Sequence, residues 1–145
     1  MAINANVRNI FDNIHCFFSK KYRLAKAEKE RKMRYEASIE ATRQENLVKI
    51  RKIMAECPAD ANLLWIKFDC GSTGTEETRQ KIISEQIACI SRENAPWAYT
   101  RGSGLMCINI AKIGKTPESI AKILWEPNRF LRGAKVTQDY WFGKV

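Results

Sequence analysis

Between Asn6 and about Glu56 the chain contains neither glycine nor proline. No other feature limits the fold so strongly. Ala, Lys, Arg, Glu, Met and Leu dominate this run, and all are good helix formers. The expectation is one long helical segment, an N-terminal arm over residues 1–57, ahead of a compact domain over 58–145. At 1.5 Å per residue, helix from Lys20 to Ala55 would extend about 54 Å.

Two apolar stripes bracket the arm. Val7, Ile10, Phe11, Ile14, Phe17 and Phe18 recur at helical spacing and form an amphipathic stretch. Leu47, Ile50, Ile53 and Met54 form a second. Between them Tyr22, Leu24, Met33, Tyr35 and Ile39 build no continuous heptad seam, so the middle is expected to be solvated or laid against something charged. The formal charge of the chain is +9. From Ser19 to Ala55 twelve bases face five acids, a net of about +7, so this segment holds most of the excess. A positive field this concentrated implies an anionic partner: DNA or RNA, an acidic protein, or an anionic membrane surface.

Pro58 ends the arm, and Cys57 is conformationally restricted before it. The pattern then changes. Leu63–Cys70 reads as a strand and Thr75–Asn94 as a helix with Ile82, Ile83, Ile87 and Ile90 inward. Trp97–Arg101 and Leu105–Ile113 read as strands joined by the hairpin signal Gly102-Ser103-Gly104. Thr116-Pro117-Glu118 opens a second helix carrying Ile120, Ile123 and Leu124, which Pro127 closes or kinks. Ala134–Phe142 reads as the last strand. The order β-α-β-β-α-β predicts an α+β, ferredoxin-like domain: a four-stranded antiparallel sheet with both helices on one face.

The stretch WIKFDCGSTGTEETRQK, Trp65–Lys81, carries a strand into a Gly-rich turn and then a helix, the geometry that binds phosphate. No Lys follows Gly74, and Glu76 and Glu77 sit in the first helical turn, where they would repel an anion. The reading is a capped turn, with Thr75 as cap. DCGSTGT resembles the first phosphate motif of the actin and hexokinase ATPases, but those continue into a hairpin strand where this chain is expected to enter a helix.

Chemistry is otherwise sparse. His15 is the single histidine and lies in the arm, away from any domain Ser or Cys, so a nucleophile–base pair is hard to build. The five cysteines, Cys16, Cys57, Cys70, Cys89 and Cys107, never form a CxxC pair and read as reduced thiols. No metal or cofactor is expected, and the chain is read as non-enzymatic. The N-terminus lacks a signal-peptide pattern and no apolar run approaches the roughly 20 residues of a membrane span, which predicts a cytoplasmic protein.

Strand alternation places Leu64, Ile66, Phe68, Met106, Ile108 and Ile110 in the core. The other face, expected to be open, would carry Trp65, Lys67, Trp97, Tyr99, Arg101, Asn109 and Trp141, a mixture of rings and cations suited to single-stranded nucleic acid. RGSGLMCI, Arg101–Ile108, resembles the ribonucleoprotein octet of RNA recognition motifs at Arg101, Gly102 and Gly104, with Ser103, Leu105 and Ile108 where that octet has aromatic rings. The expected function is therefore nucleic-acid association. Lys20, Lys21, Arg23, Lys26, Lys29, Arg31, Lys32 and Arg34 would contact phosphates, and Trp65, Trp97 and Trp141 would stack on bases. The alternative is a small adaptor or inhibitor that grips another protein through Val7, Ile10, Phe11, Ile14, Phe17 and Phe18. The same stripe could instead cover the sheet, within the chain or across a homodimer, or lie on a membrane surface.

Overall fold

The computed structural model describes residues 5–125, 131 and 133–145, with side chains from Asn13 onward. Helix α1 runs unbroken from Ala5 to Ala55, as the absence of helix breakers requires. Then come β1 (Leu63–Phe68), α2 (Glu76–Glu93), β2 (Trp97–Thr100), β3 (Leu105–Asn109), α3 (Ile110–Ile113), α4 (Pro117–Trp125) and β4 (Val136–Gly143). Contacts group the chain into two units, residues 1–38 and residues 39–145. Pro127 lies outside the described residues.

In the second unit the strands form one sheet in the order β2-β3-β1-β4, and every neighbouring pair is antiparallel. Ile66 pairs with Met106 on one side and Tyr140 on the other. The strand expected to continue to Ile113 stops at Asn109, whose side chain accepts a hydrogen bond from the Lys112 N–H at 3.2 Å and starts α3. An Asn that caps so well competes with the ladder.

The four-stranded antiparallel sheet after a long helix is as expected, whereas the two helices do not share one face as the ferredoxin-like expectation had them. On one face Leu64, Ile66, Phe68, Met106 and Ile108 pack with Ile120 and Leu124 of α4 and with Ile50 and Ile53 from the last turns of α1. On the other, Leu63, Trp65, Leu105 and Cys107 pack with Ile82 and Ile90 of α2. The cause lies in the strands. LLWIKF and LMCIN are apolar at nearly every position, so both faces of the sheet need a cover, and one helix layer leaves half of that surface in water. The residues named from alternation as core, Leu64 to Ile110, are all buried.

The glycine turn is a docking joint between two loops. The Ser72 N–H donates to the Gly102 carbonyl at 2.9 Å. A Cβ on Gly71, whose φ is +72°, would lie 2.3 Å from that same oxygen, and one on Gly104 would lie 1.9 Å from the Cys70 carbonyl. Glycine is required there because backbone meets backbone. Thr75 caps α2 by accepting from the Thr78 N–H at 3.2 Å, and the Gly74 N–H donates to Ser72 Oγ at 3.2 Å, so two of the amides around this turn are already engaged.

Candidate nucleic-acid interface

In α1 a spacing of three and four residues puts Lys20, Arg23, Arg31 and Arg34 along one side. Phe18, Tyr22, Ala25, Lys29 and Met33 follow a different side by the same rule. Tyr22, Ala25, Lys29 and Met33 line a shallow groove there. From Asn13 to Ser38 every side chain is exposed, Ser19 excepted, which is half-buried. Apolar groups share this exposure: Phe17 and Phe18 are 64% and 62% accessible.

Arg34 lies 3.9 Å from Glu30, and both side chains are largely in solvent. Such a pair contributes well under 1 kcal/mol and leaves the field nearly intact. Lys20, Lys21, Arg23, Lys26, Lys29, Arg31 and Lys32 form no ion pair among the described residues. Lys20 to Arg34 covers about 21 Å of axis.

Several cations of the second unit are engaged instead. Arg43 stands over the Trp125 ring at 5.5 Å, Lys49 Nζ donates to the Val136 carbonyl at 2.8 Å, and Arg51 reaches Glu118 at 3.9 Å. Lys67, expected to face phosphate from an open sheet, donates to the Phe68 and Cys70 carbonyls at 2.8 and 2.7 Å and ties down the turn after β1.

The aromatic half of the expected site is not assembled. Trp65 is enclosed beneath α2, and its Nε1 donates to Gln86 Oε1 at 3.1 Å. Its ring stacks on Trp141, with centroids 5.7 Å apart and 7° between planes. Arg79 covers Trp141 from 4.1 Å and bonds Asp139 Oδ1 at 3.2 Å. Trp97 and Tyr99 pack against the opposite core, and Arg101 is exposed in the β2–β3 turn. Trp65, Trp97 and Trp141 therefore do not share an open stacking surface.

Gln86 was not singled out by sequence reasoning, yet it organises the α2 face. Besides accepting from Trp65, it donates to Thr100 Oγ1 at 3.1 Å and the Leu105 carbonyl at 2.9 Å. A signal existed: Gln86 is four residues from both Ile82 and Ile90, a polar group on an inward stripe, which demands buried partners.

Burial pushes the Cys107 thiol up to about 12, leaving it protonated and inert. The Tyr140 hydroxyl donates to Glu56, and that carboxylate raises the tyrosine above its ordinary range. Among the described residues no three His, Cys, Asp or Glu side chains gather to hold a metal, and no helix is long and apolar enough to cross a membrane. No protein-family model matches the chain, and neither a curated protein nor a solved structure shows significant similarity to it.

Proposed function

We propose that this chain is a nucleic-acid-associated protein that grips the phosphate backbone through the Lys20–Arg34 stretch of α1. The supporting observation is the eight cations there, exposed and with one weak ion pair among the described residues. Duplex DNA carries one charge per about 1.7 Å of axis, so about 21 Å of helix meets about twelve phosphates, comparable to the cations offered. Contacts of this type bind backbone without reading bases. Stacking by Trp65 plays no part, since that ring is buried.

The test is fluorescence anisotropy with duplex and single-stranded 30-mers between 50 and 200 mM salt. If six to eight cations engage phosphate, affinity falls by about 10³–10⁴ across that range. Absence of a complex at 50 mM salt with either oligonucleotide overturns the reading.

A second reading rests on a different observation, the exposure of Ile14, Phe17 and Phe18. Large apolar groups at helical spacing are the anchors of helix-in-groove recognition, and the cations that follow would favour an acidic protein. Phe17→Ser with Phe18→Ser separates the two: it abolishes protein capture under this reading and leaves oligonucleotide affinity within about twofold under the first.

A further inference from the structure

The two edges of the sheet are finished differently. Along β4, Asn46 of α1 takes the place of a neighbouring strand: Nδ2 donates to the Ala134 carbonyl and Oδ1 accepts from the Val136 N–H, both at 2.9 Å. Lys49 Nζ caps the Val136 carbonyl. Further along, Gln138 and Tyr140 lie beside Lys49, Lys52, Ile53 and Glu56. That edge is closed by side chains, the usual defence against stray pairing.

Among the described residues β2 has no such cover. The Asn109 N–H donates to the Pro96 carbonyl, the Ser103 N–H to the Thr100 carbonyl, and Ala98 pairs with Cys107. Residues 96, 98 and 100 thus turn their polar groups towards β3. By antiparallel alternation Trp97 and Tyr99 turn theirs outward, where the described residues supply no further strand. Beside this edge runs a cleft of about 370 Å³ lined by Glu85, Gln86, Cys89, Glu93 and residues 97–100. Two carboxylates line it in a chain of net charge +9: Glu85, and Glu93, whose exposed ion pair with Arg92 at 3.5 Å is weak enough for an incoming cation to compete with it.

We infer that β2 is a docking edge for an extended, basic segment of a partner protein, added as a fifth strand. Pairing with Trp97 and Tyr99 supplies the main-chain hydrogen bonds. Side-chain alternation then specifies the incoming segment. Ala98 and Thr100 face α2, while Trp97 and Tyr99 face the other layer. Every second residue of the guest therefore meets Glu85 and Glu93 and is Lys or Arg, and those between lie by the Trp97 and Tyr99 rings and are apolar. A second copy of β2 is disfavoured, because a twofold pairing sets these glutamates against their equivalents. This inference is independent of what α1 binds.

The experiment is residue-resolved amide exchange by NMR on the full chain with three synthetic heptapeptides. One alternates Lys and Val, one alternates Glu and Val, and one is the Lys–Val peptide N-methylated at alternate residues on its pairing edge. The Lys–Val peptide should slow exchange of the Trp97 and Tyr99 amides at least tenfold, the Glu–Val peptide should bind at least tenfold more weakly, and the methylated peptide should give no protection. Glu85→Gln with Glu93→Gln, both at exposed positions, should erase the preference for the basic peptide. The proposal is overturned if millimolar Lys–Val peptide leaves both amides unchanged, if all three peptides act alike, or if the glutamine variant keeps the preference. Concentration-dependent protection without peptide would assign the edge to a second copy and overturn it equally.

Discussion

One helix, two halves: residues 13–38 of α1 leave nearly every side chain in water, whereas residues 39–55 bury Thr42, Asn46, Ile50 and Ile53. Both stretches are rich in Lys, Arg and Glu. They differ in what their side chains meet. In the later half Ile50 and Ile53 enter the core, Asn46 completes a sheet edge, and Arg43, Lys49 and Arg51 each find a partner. In the earlier half Glu30 with Arg34 is the one ion pair among the described residues, and Phe17 and Phe18 meet only edge to face, both largely in solvent. Helix propensity explains why both are helical. It does not explain the difference in exposure, which is what an external partner for the first half, as proposed above, would account for.

The two halves should differ most in their contribution to stability. Ile50 is fully buried, so Ile50→Ala should cost about 2–5 kcal/mol in urea unfolding. Phe17→Ala removes a larger ring from an exposed position and should change stability by less than about 0.5 kcal/mol. Equal losses would mean that Phe17 is packed in solution and that the two halves do not differ.

Charge gives the next largest contrast. Replacing Lys20, Arg23, Lys26, Arg31 and Arg34 by Gln should flatten the plot of log affinity against log salt by about 4–5 units for duplex DNA. The same exchange at Arg43, Lys49 and Arg51 should move that slope by less than about one unit, because those groups serve the fold. If both variants lose the same slope, the field is diffuse and the exposed stretch has no special role.

How much of this was legible in the sequence differs between helix and sheet. The Gly- and Pro-free run announces α1, and the Leu47–Met54 stripe announces that its end packs on something. Thr75 and Thr116 mark the starts of α2 and α4 because capping is a local interaction, written in three or four residues. The layer to which each helix belongs is non-local. Strand alternation separates Trp65 from Ile66, but it does not say which helix covers which set. LLWIKF offered a clue, since a strand apolar on both faces excludes an open one. Lys67 obscured that clue, because its charge suggested solvent when its ammonium in fact serves turn carbonyls. For the candidate site, the cations of α1 were legible as charge, whereas the burial of Trp65 depended on Gln86 arriving from another element.

Asn46 tests how far the packed half is built into the sheet. Asn46→Ala leaves the Ala134 carbonyl and the Val136 N–H without their partners, and should cost about 1–3 kcal/mol. Asn46→Asp keeps the acceptor for Val136 but sets a carboxylate oxygen against the Ala134 carbonyl at a buried position, so its loss should be at least as large. Val136 amide exchange should accelerate in the alanine variant. An unchanged Val136 amide would mean that another group closes the edge and that α1 is dispensable to it.

The smallest effect lies at the end of the packed half, where Tyr140 of β4 donates to Glu56 just beyond α1. The hydrogen bond to the Glu56 carboxylate raises the Tyr140 pKa, because ionised tyrosine would set two negative charges together. The folded state therefore holds this proton more tightly than the unfolded chain. Its contribution is complete below the ordinary tyrosine pKa of about 10 and is lost as pH rises through the raised value. Between pH 9 and 11 the urea midpoint of the native chain should fall more steeply than that of Tyr140→Phe. Other tyrosines and lysines titrate in both proteins, so the difference between the two curves isolates Tyr140. Coincident curves would show that the Glu56 contact does not hold α1 to β4 in solution, and the packed half would then rest on Asn46, Ile50 and Ile53.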